Sequence, residues 1–163
     1  MPTATARRHH GGFTLLELMI AAVIVALLAG IAIPSYRQYV LRTHRAMARA
    51  TLVDIAAKLE VEALKNRRYP SDFDFYLRRG NGDSTLLGED EFGIDRHGRL
   101  LADGVADPAS LYAIRLVATA RTFELTATAQ HDQAADTRCR VLVLTSAGMR
   151  RALPDNHPEC WSR

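Results

Sequence analysis

The sequence is poor in the residues from which catalytic and metal sites are built. It holds two cysteines in 163 residues, Cys139 and Cys160, too far apart for the C-x-x-C spacing of a thiol redox site. A zinc site needs more ligands than these, and only His157 stands near Cys160. The remaining histidines, His9, His10, His44, His97 and His131, are scattered along the chain. No serine is framed by a nucleophile motif, no glycine-rich loop cradles phosphate, and no compact acidic loop near the C-terminus suits calcium. These absences argue against an enzyme and against a metal or other cofactor. An excess of one sign of charge is also nearly lacking. Lys and Arg number 21 against 18 Asp and Glu, a formal net of +3, too little to argue for nucleic acid by itself.

Long hydrophobic runs are absent too, with one exception. Leu15 to Ile33 carries a single charge, Glu17, and is long enough to cross a bilayer as a helix. Arg7, Arg8, His9 and His10 precede it, with no acid before Glu17. Positive charge on that side holds the N-terminus in the cytoplasm and sends the rest of the chain outward. A secretory signal peptide is the alternative, with Ala29-Gly30-Ile31-Ala32 as a loose cleavage site. Two features oppose it: the charge inside the run lies near its start, and the sequence continues past Pro34 in helix-compatible form.

Gly12-Phe13-Thr14-Leu15-Leu16-Glu17 resembles the prepilin peptidase motif of type IV pilins and related pseudopilins. The resemblance implies a cut after Gly12, N-methylation of Phe13, and a role for Glu17, the fifth mature residue, in assembly. It implies a basic leader over 1–12, a transmembrane segment over 13–34, an amphipathic helix over 35–66 and a globular head over 67–163. The implied fold is α+β, the type IV pilin fold: a long N-terminal helix packed on an antiparallel sheet. A glycine before the cut lets extended backbone enter a protease site without a side-chain clash. A carboxylate inside a membrane is costly, and such groups are usually paired. The implied partner of Glu17 is the amine of Phe13, on a neighbouring subunit or on the same chain. The competing reading is a glutamate that snorkels to water.

Beyond Pro34, which removes a helical hydrogen bond and favours a kink, Tyr36 and Tyr39 sit where interfacial aromatics belong. The helical pattern then continues to about Asn66, for roughly 80 Å in all. Ala46, Ala50, Val53, Ala57, Val61 and Leu64 form an apolar stripe expected to pack against the head. Arg42, Arg45 and Arg49 lie on another face, either solvated or in contact with acids of adjacent subunits. A helix this long leaves apolar surface over for lipid or other subunits.

Residues 67–111 hold most of the turn formers, Gly80-Asn81-Gly82-Asp83, Gly88 and Asp107-Pro108 among them, and read as a long connection. Phe73, Phe75, Tyr76, Leu86, Leu87, Phe92 and Ile94 are expected to pin it to the core, with short strands between Phe92 and Leu101. Tyr112 to Ala118 and Phe123 to Ala129 alternate apolar and polar residues and predict a hairpin. Val141 to Thr145 is a third strand and Met149 to Leu153 a fourth, after a turn at Ser146-Ala147-Gly148. If the head is outside the cytoplasm, an oxidising compartment makes a Cys139–Cys160 disulfide the default.

The C-terminal third is similar to minor pilins of the PilE/ComP kind, through Phe123-Glu124-Leu125-Thr126-Ala127-Thr128-Ala129, Gln133-Ala134-Ala135-Asp136-Thr137-Arg138-Cys139, Leu144-Thr145-Ser146-Ala147-Gly148 and Cys160-Trp161. Residues 70–110 display no such match. The resemblance implies a minor pilin of the type IV pilus, supporting biogenesis, twitching motility and adhesion. Its partners would be other pilin subunits, the prepilin peptidase, the inner membrane and the pilus assembly machinery. Its location would be the inner membrane with the head in the periplasm, then the cell-surface pilus. A second reading is a DNA-binding pilin that contacts nucleic acid through Arg138, Arg140, Arg150 and Arg151, with Arg163 nearby. Against it, removal of Arg7 and Arg8 lowers the net charge to about +1, and Glu89-Asp90-Glu91 adds an acidic run. A third reading is a pseudopilin of type II secretion.

Overall fold

The computed structural model describes residues 13–76, 91–101 and 104–162. The leader with Gly12, the glycine turns at 80–88, Leu86, Leu87, Glu89, Asp90 and Arg163 lie outside the described residues. The chain forms two compact units, one ending at Tyr39 and the other beginning at Val40.

Helix α1 spans Leu15–Asn66, 52 residues. Thr14 precedes it and accepts a hydrogen bond from the Glu17 N–H through its side chain, at 3.2 Å. This satisfies one of the donors that a helix start leaves unpaired. Pro34, where a kink is expected, does not end the helix, which continues through it. A proline removes one N–H, and the alanine, isoleucine and leucine around it favour helix strongly enough to carry the backbone past. The helix stops where Arg67 takes a left-handed φ of 55°, with Pro70 just beyond, a common pairing at helix C-termini.

In the first unit nearly every side chain of α1 is exposed, and Leu15, Leu16, Val25, Leu27 and Ile31 are all more than half so. Among the described residues, α1 alone is long and apolar enough to cross a membrane. Such a surface requires lipid or other protein around it.

In the second unit, α1 packs on the sheet through Ala48, Thr51, Leu52, Ile55 and Leu59. These recur at helical steps, but they are not the stripe that the sequence pattern singled out. Ala46, Ala50, Val53, Ala57, Val61 and Leu64 are exposed, Leu64 at 83%. The helix is apolar on two faces, and periodicity cannot rank them. The sheet takes the face with larger side chains, where Leu52, Ile55 and Leu59 remove more apolar area from water than alanines would.

The sheet is a five-stranded antiparallel meander in the order β1-β2-β3-β4-β5. Its strands are β1 (Glu91–Ile94), β2 (Tyr112–Ala118), β3 (Phe123–Ala129), β4 (Val141–Thr145) and β5 (Arg150–Leu153). The fold is α+β, as expected. Register places Phe92, Ile114, Ala127, Leu142 and Ala152 in one row across all five strands, each buried against α1. The neighbouring row is Leu116, Leu125 and Leu144. Between β4 and β5 the chain turns on Gly148, whose φ of +73° few side chains tolerate.

The described parts of residues 67–111 are less loose than their turn formers suggest. A short helix α2 (Asp74–Tyr76) brings Phe73 and Tyr76 against Phe92, with ring centroids 4.6 and 6.1 Å apart. Leu100 bridges back to Ile94. The intervening turn is organised by Asp95. Its carboxylate accepts the backbone N–H of His97 at 2.7 Å and of Arg99 at 3.0 Å, and the Arg99 guanidinium at 2.8 Å. Burial alone would raise the Asp95 carboxyl, but these bonds and the Arg99 charge outweigh it and hold it below the usual carboxylate range. The turn sits directly on α1: a Cβ at Gly98 would come within 3.2 Å of the Met47 sulfur and 3.3 Å of the Thr51 hydroxyl.

Candidate assembly and binding surfaces

The N-terminal candidate residues stand at the open end of α1. Phe13 is 77% exposed, and Glu17 is an exposed acid in the first helical turn. Thr14 and Glu17 together have the T-x-x-E spacing of a capping box. This capping spacing stands beside the assembly and snorkelling readings of Glu17 and is a sequence signal for Thr14. A carboxylate in the first turn also faces the positive end of the helix dipole, a favourable place for it.

The second site joins α1 to the C-terminal part of the head. The basic face of α1 is neither solvated nor free for another subunit's acids at two of its three positions. Arg45 turns inward onto Asp136, with Nη2 at 2.7 Å and Nε at 2.9 Å from one carboxylate oxygen. The pair is 11% and 6% exposed. Arg49 donates to the carbonyls of Cys160, at 3.4 Å, and of Ser162. Only Arg42 of the three is fully exposed. Beside them, fully buried Gln133 donates through Nε2 to the Tyr112 hydroxyl at 2.9 Å and to the Leu41 carbonyl at 3.2 Å. Its Oε1 lies 3.1 Å from His44 Nδ1. Burial, and then the Asp136 charge, pushes the Tyr112 phenol well up, so it remains protonated.

Cys139 and Cys160 are joined in a disulfide, both buried in the core. The C-terminal segment is thus tied down covalently, by two arginines, and by Trp161 Nε1, which donates to the Arg151 carbonyl at 2.7 Å.

The four arginines considered for nucleic acid do not form one cluster. Arg138 and Arg140 lie just before β4, while Arg150 and Arg151 begin β5, at the other end of the hairpin. Arg151 is paired with Glu124 at 3.3 Å, and the Arg150 guanidinium sits over the Trp161 ring at 5.7 Å. Arg138 and Arg140 are exposed and form no ion pair among the described residues.

A long apolar N-terminal helix, a sheet of this order and a disulfide-closed C-terminus form the frame of the likeness read from the sequence. Residues 34–143 match the family described as type IV minor pilin ComP, DNA uptake sequence receptor. The chain belongs to this type IV minor pilin family. Residues 7–33 match the prokaryotic N-terminal methylation motif. A fimbrial protein of Pseudomonas aeruginosa is 40% identical over 81 residues, 47% of this chain and 51% of the relative. The type IV major fimbrial protein FimA of Dichelobacter nodosus is 32% identical over 102 residues, 63% and 58% of the two chains. The type II secretion system core protein G of Pseudomonas aeruginosa is 35% identical over 65 residues, 40% and 46%. The chain thus spans about half the length of the curated relatives it matches.

The family match runs straight through residues 70–110, where sequence motifs alone display no likeness, and it ends before Cys160. The disulfide that closes this pilin's head therefore lies partly outside the matched segment. We expect Cys160→Ser to lower head stability by about 3 kcal/mol on the chain-entropy account of loop closure. Thermal unfolding of the full chain in detergent, followed by near-UV circular dichroism, measures it. An unchanged melting temperature would show that the non-covalent ties suffice.

Proposed function

We propose that the protein is a minor subunit of the type IV pilus, inserted in the inner membrane with its head in the periplasm, processed, and assembled into the filament through α1. In this reading prepilin peptidase cuts between Gly12 and Phe13, and Phe13 is methylated. Glu17 pairs with the Phe13 amine of another subunit, fixing axial register where the dielectric is low. The role is structural, not enzymatic. The partners are other pilins, the peptidase and the assembly machinery, and the heads form the surface used in adhesion and twitching motility. The observation that carries the reading is the apolar surface of α1, exposed along the first unit and lying largely within the segment that matches the methylation motif. It supports a helix that exchanges lipid for neighbouring helices.

Glu17→Gln and Glu17→Val separate assembly from helix capping. Glutamine also serves at the third position of a capping box, so Glu17→Gln keeps that device and removes only the charge. Both variants should insert in the membrane normally. Both should be depleted about tenfold or more from sheared pili, since an unpaired buried amine costs more than 1.4 kcal/mol. Normal amounts of Glu17→Gln in pili would end the charge-pairing account.

A second reading, DNA binding by the head, is favoured by the description of the matched family. Arg138 and Arg140 are the available cations, Arg150 and Arg151 being engaged by Trp161 and Glu124. Exposed arginines of this kind contact phosphates. A gel shift with detergent-solubilised full-length protein should show binding that weakens as salt rises, and Arg138→Ala with Arg140→Ala should reduce it most. No shift at low salt would remove this reading and leave the first intact.

A further inference from the structure

A meander of five strands has two edges, and an uncovered edge offers a row of N–H and C=O groups to any strand that approaches. β5 is one such edge, hydrogen-bonded on one side to β4. Its other side is occupied by a single residue of the C-terminal segment. The Ala152 N–H donates to Asn156 Oδ1 at 3.0 Å, and the Ala152 carbonyl accepts the Asn156 N–H at 2.7 Å. Asn156 thus supplies an acceptor and a donor to Ala152, as a residue of a sixth strand would. It does so at a φ of 48°, a left-handed conformation that asparagine tolerates better than most residues. Trp161 Nε1 anchors the same segment to β5 through the Arg151 carbonyl, which the register turns toward β4 and not to the open side.

What lies behind this edge explains the need for cover. β4 reads Val-Leu-Val-Leu-Thr, uncharged and rich in strand formers, the kind of segment that pairs readily with copies of itself. β5 lies beside it and carries Arg150 and Arg151, cations of the sort that discourage edge pairing. The cover is fastened to the body of the head at Cys160 by the disulfide, and at the Glu159, Cys160 and Ser162 carbonyls by Arg45 and Arg49.

We infer that residues 154–162 are an edge guard, whose role is to keep β5 from accepting a strand of a second copy of this chain. The occupant excluded is a second β5. An antiparallel β5–β5 pair is self-complementary, so a two-fold dimer closes with a single contact type. The Ala152 N–H is free once the Asn156 side chain is gone, and its carbonyl is free once the segment, no longer anchored by Trp161, carries the residue-156 N–H away.

The test is hydrogen exchange by mass spectrometry on peptides covering β5, with the full chain in detergent micelles at low and high protein concentration. In the wild type, exchange at β5 should be slow at both. In Asn156→Gly with Trp161→Ala, it should speed up about tenfold at low concentration, as a hydrogen-bonded amide loses its partner. It should slow again at high concentration as a second copy pairs with it, and Leu153→Lys should abolish that return. Exchange equal to wild type, or faster exchange that does not depend on concentration, overturns the proposal. Should β2 and β3 peptides open as well in the double variant, Asn156→Gly with Trp161→Phe, which keeps a ring but removes the Nε1 donor, is read by the same two criteria. Glycine keeps the left-handed turn and removes only the side chain.

Discussion

Replacing Leu52 with alanine should lower the stability of the head by roughly 2–5 kcal/mol, whereas Val53→Ala, one position along the same helix, should change it by less than about 0.5 kcal/mol. Leu52 is fully buried between α1 and the sheet, in the cluster that includes Ile55, Ile114 and Leu125. Its truncation loses transfer free energy and leaves a cavity that a helix and a sheet, each rigid, fill poorly. Val53 is 45% exposed on the face that the isolated head leaves to solvent, so alanine there loses little. Denaturant unfolding of the full chain in detergent, monitored by near-UV circular dichroism, distinguishes them. Equal effects would mean that the sheet contacts both faces. The contrast also separates folding from assembly. If the exposed stripe meets other subunits, Val53→Ala costs nothing in the isolated chain and appears only in the filament.

The same pair of residues marks the limit of what the sequence made legible. β2 and β3 were readable to the residue from their alternation, as a sheet with one face on the core writes it, and β4 from its short uncharged run of strand formers. The length of α1 was readable from its composition and from Pro70 beyond its end. The face it buries was not, because both candidate stripes have helical spacing and only the partner chooses between them. Residues 67–111 were opaque for a different reason. The order of their described parts comes from contacts far apart in sequence, Phe73 on Phe92 and the Asp95 turn on Met47 and Thr51, and their turn formers speak only of local backbone. At the N-terminus, Gly12, Phe13 and Glu17 were legible as a motif, since the residues that carry it are adjacent. Arg45 and Arg49 were visible as a basic face, but their partners lie some ninety and more residues away, in a segment with no periodic pattern to place it.

That long-range tie carries the other large effect expected. Arg45→Met should destabilise the head by roughly 3–5 kcal/mol, the usual cost of breaking a buried ion pair from one side. Methionine fills much of the arginine stem's volume but leaves the Asp136 carboxylate, 6% exposed, without its cation. Asp136 is also a hinge of the local backbone: its N–H donates to the Gln133 carbonyl at 2.9 Å, and its carbonyl accepts the Cys139 N–H at 3.2 Å. An unpaired charge there disturbs both buried Gln133 and the disulfide. Removing both charges, as Arg45→Met with Asp136→Leu, should recover most of the loss, because burying a pair of charges costs about as much as their attraction returns. Arg42→Met, at the exposed position of the same face, should be nearly silent. Urea unfolding of the three variants and the wild type gives the comparison. A double variant as unstable as Arg45→Met alone would show that the arginine acts through its contact with the Glu159 carbonyl, and not through its charge on Asp136. Arg45 and Arg49 therefore act first as fasteners of this chain's own C-terminal part.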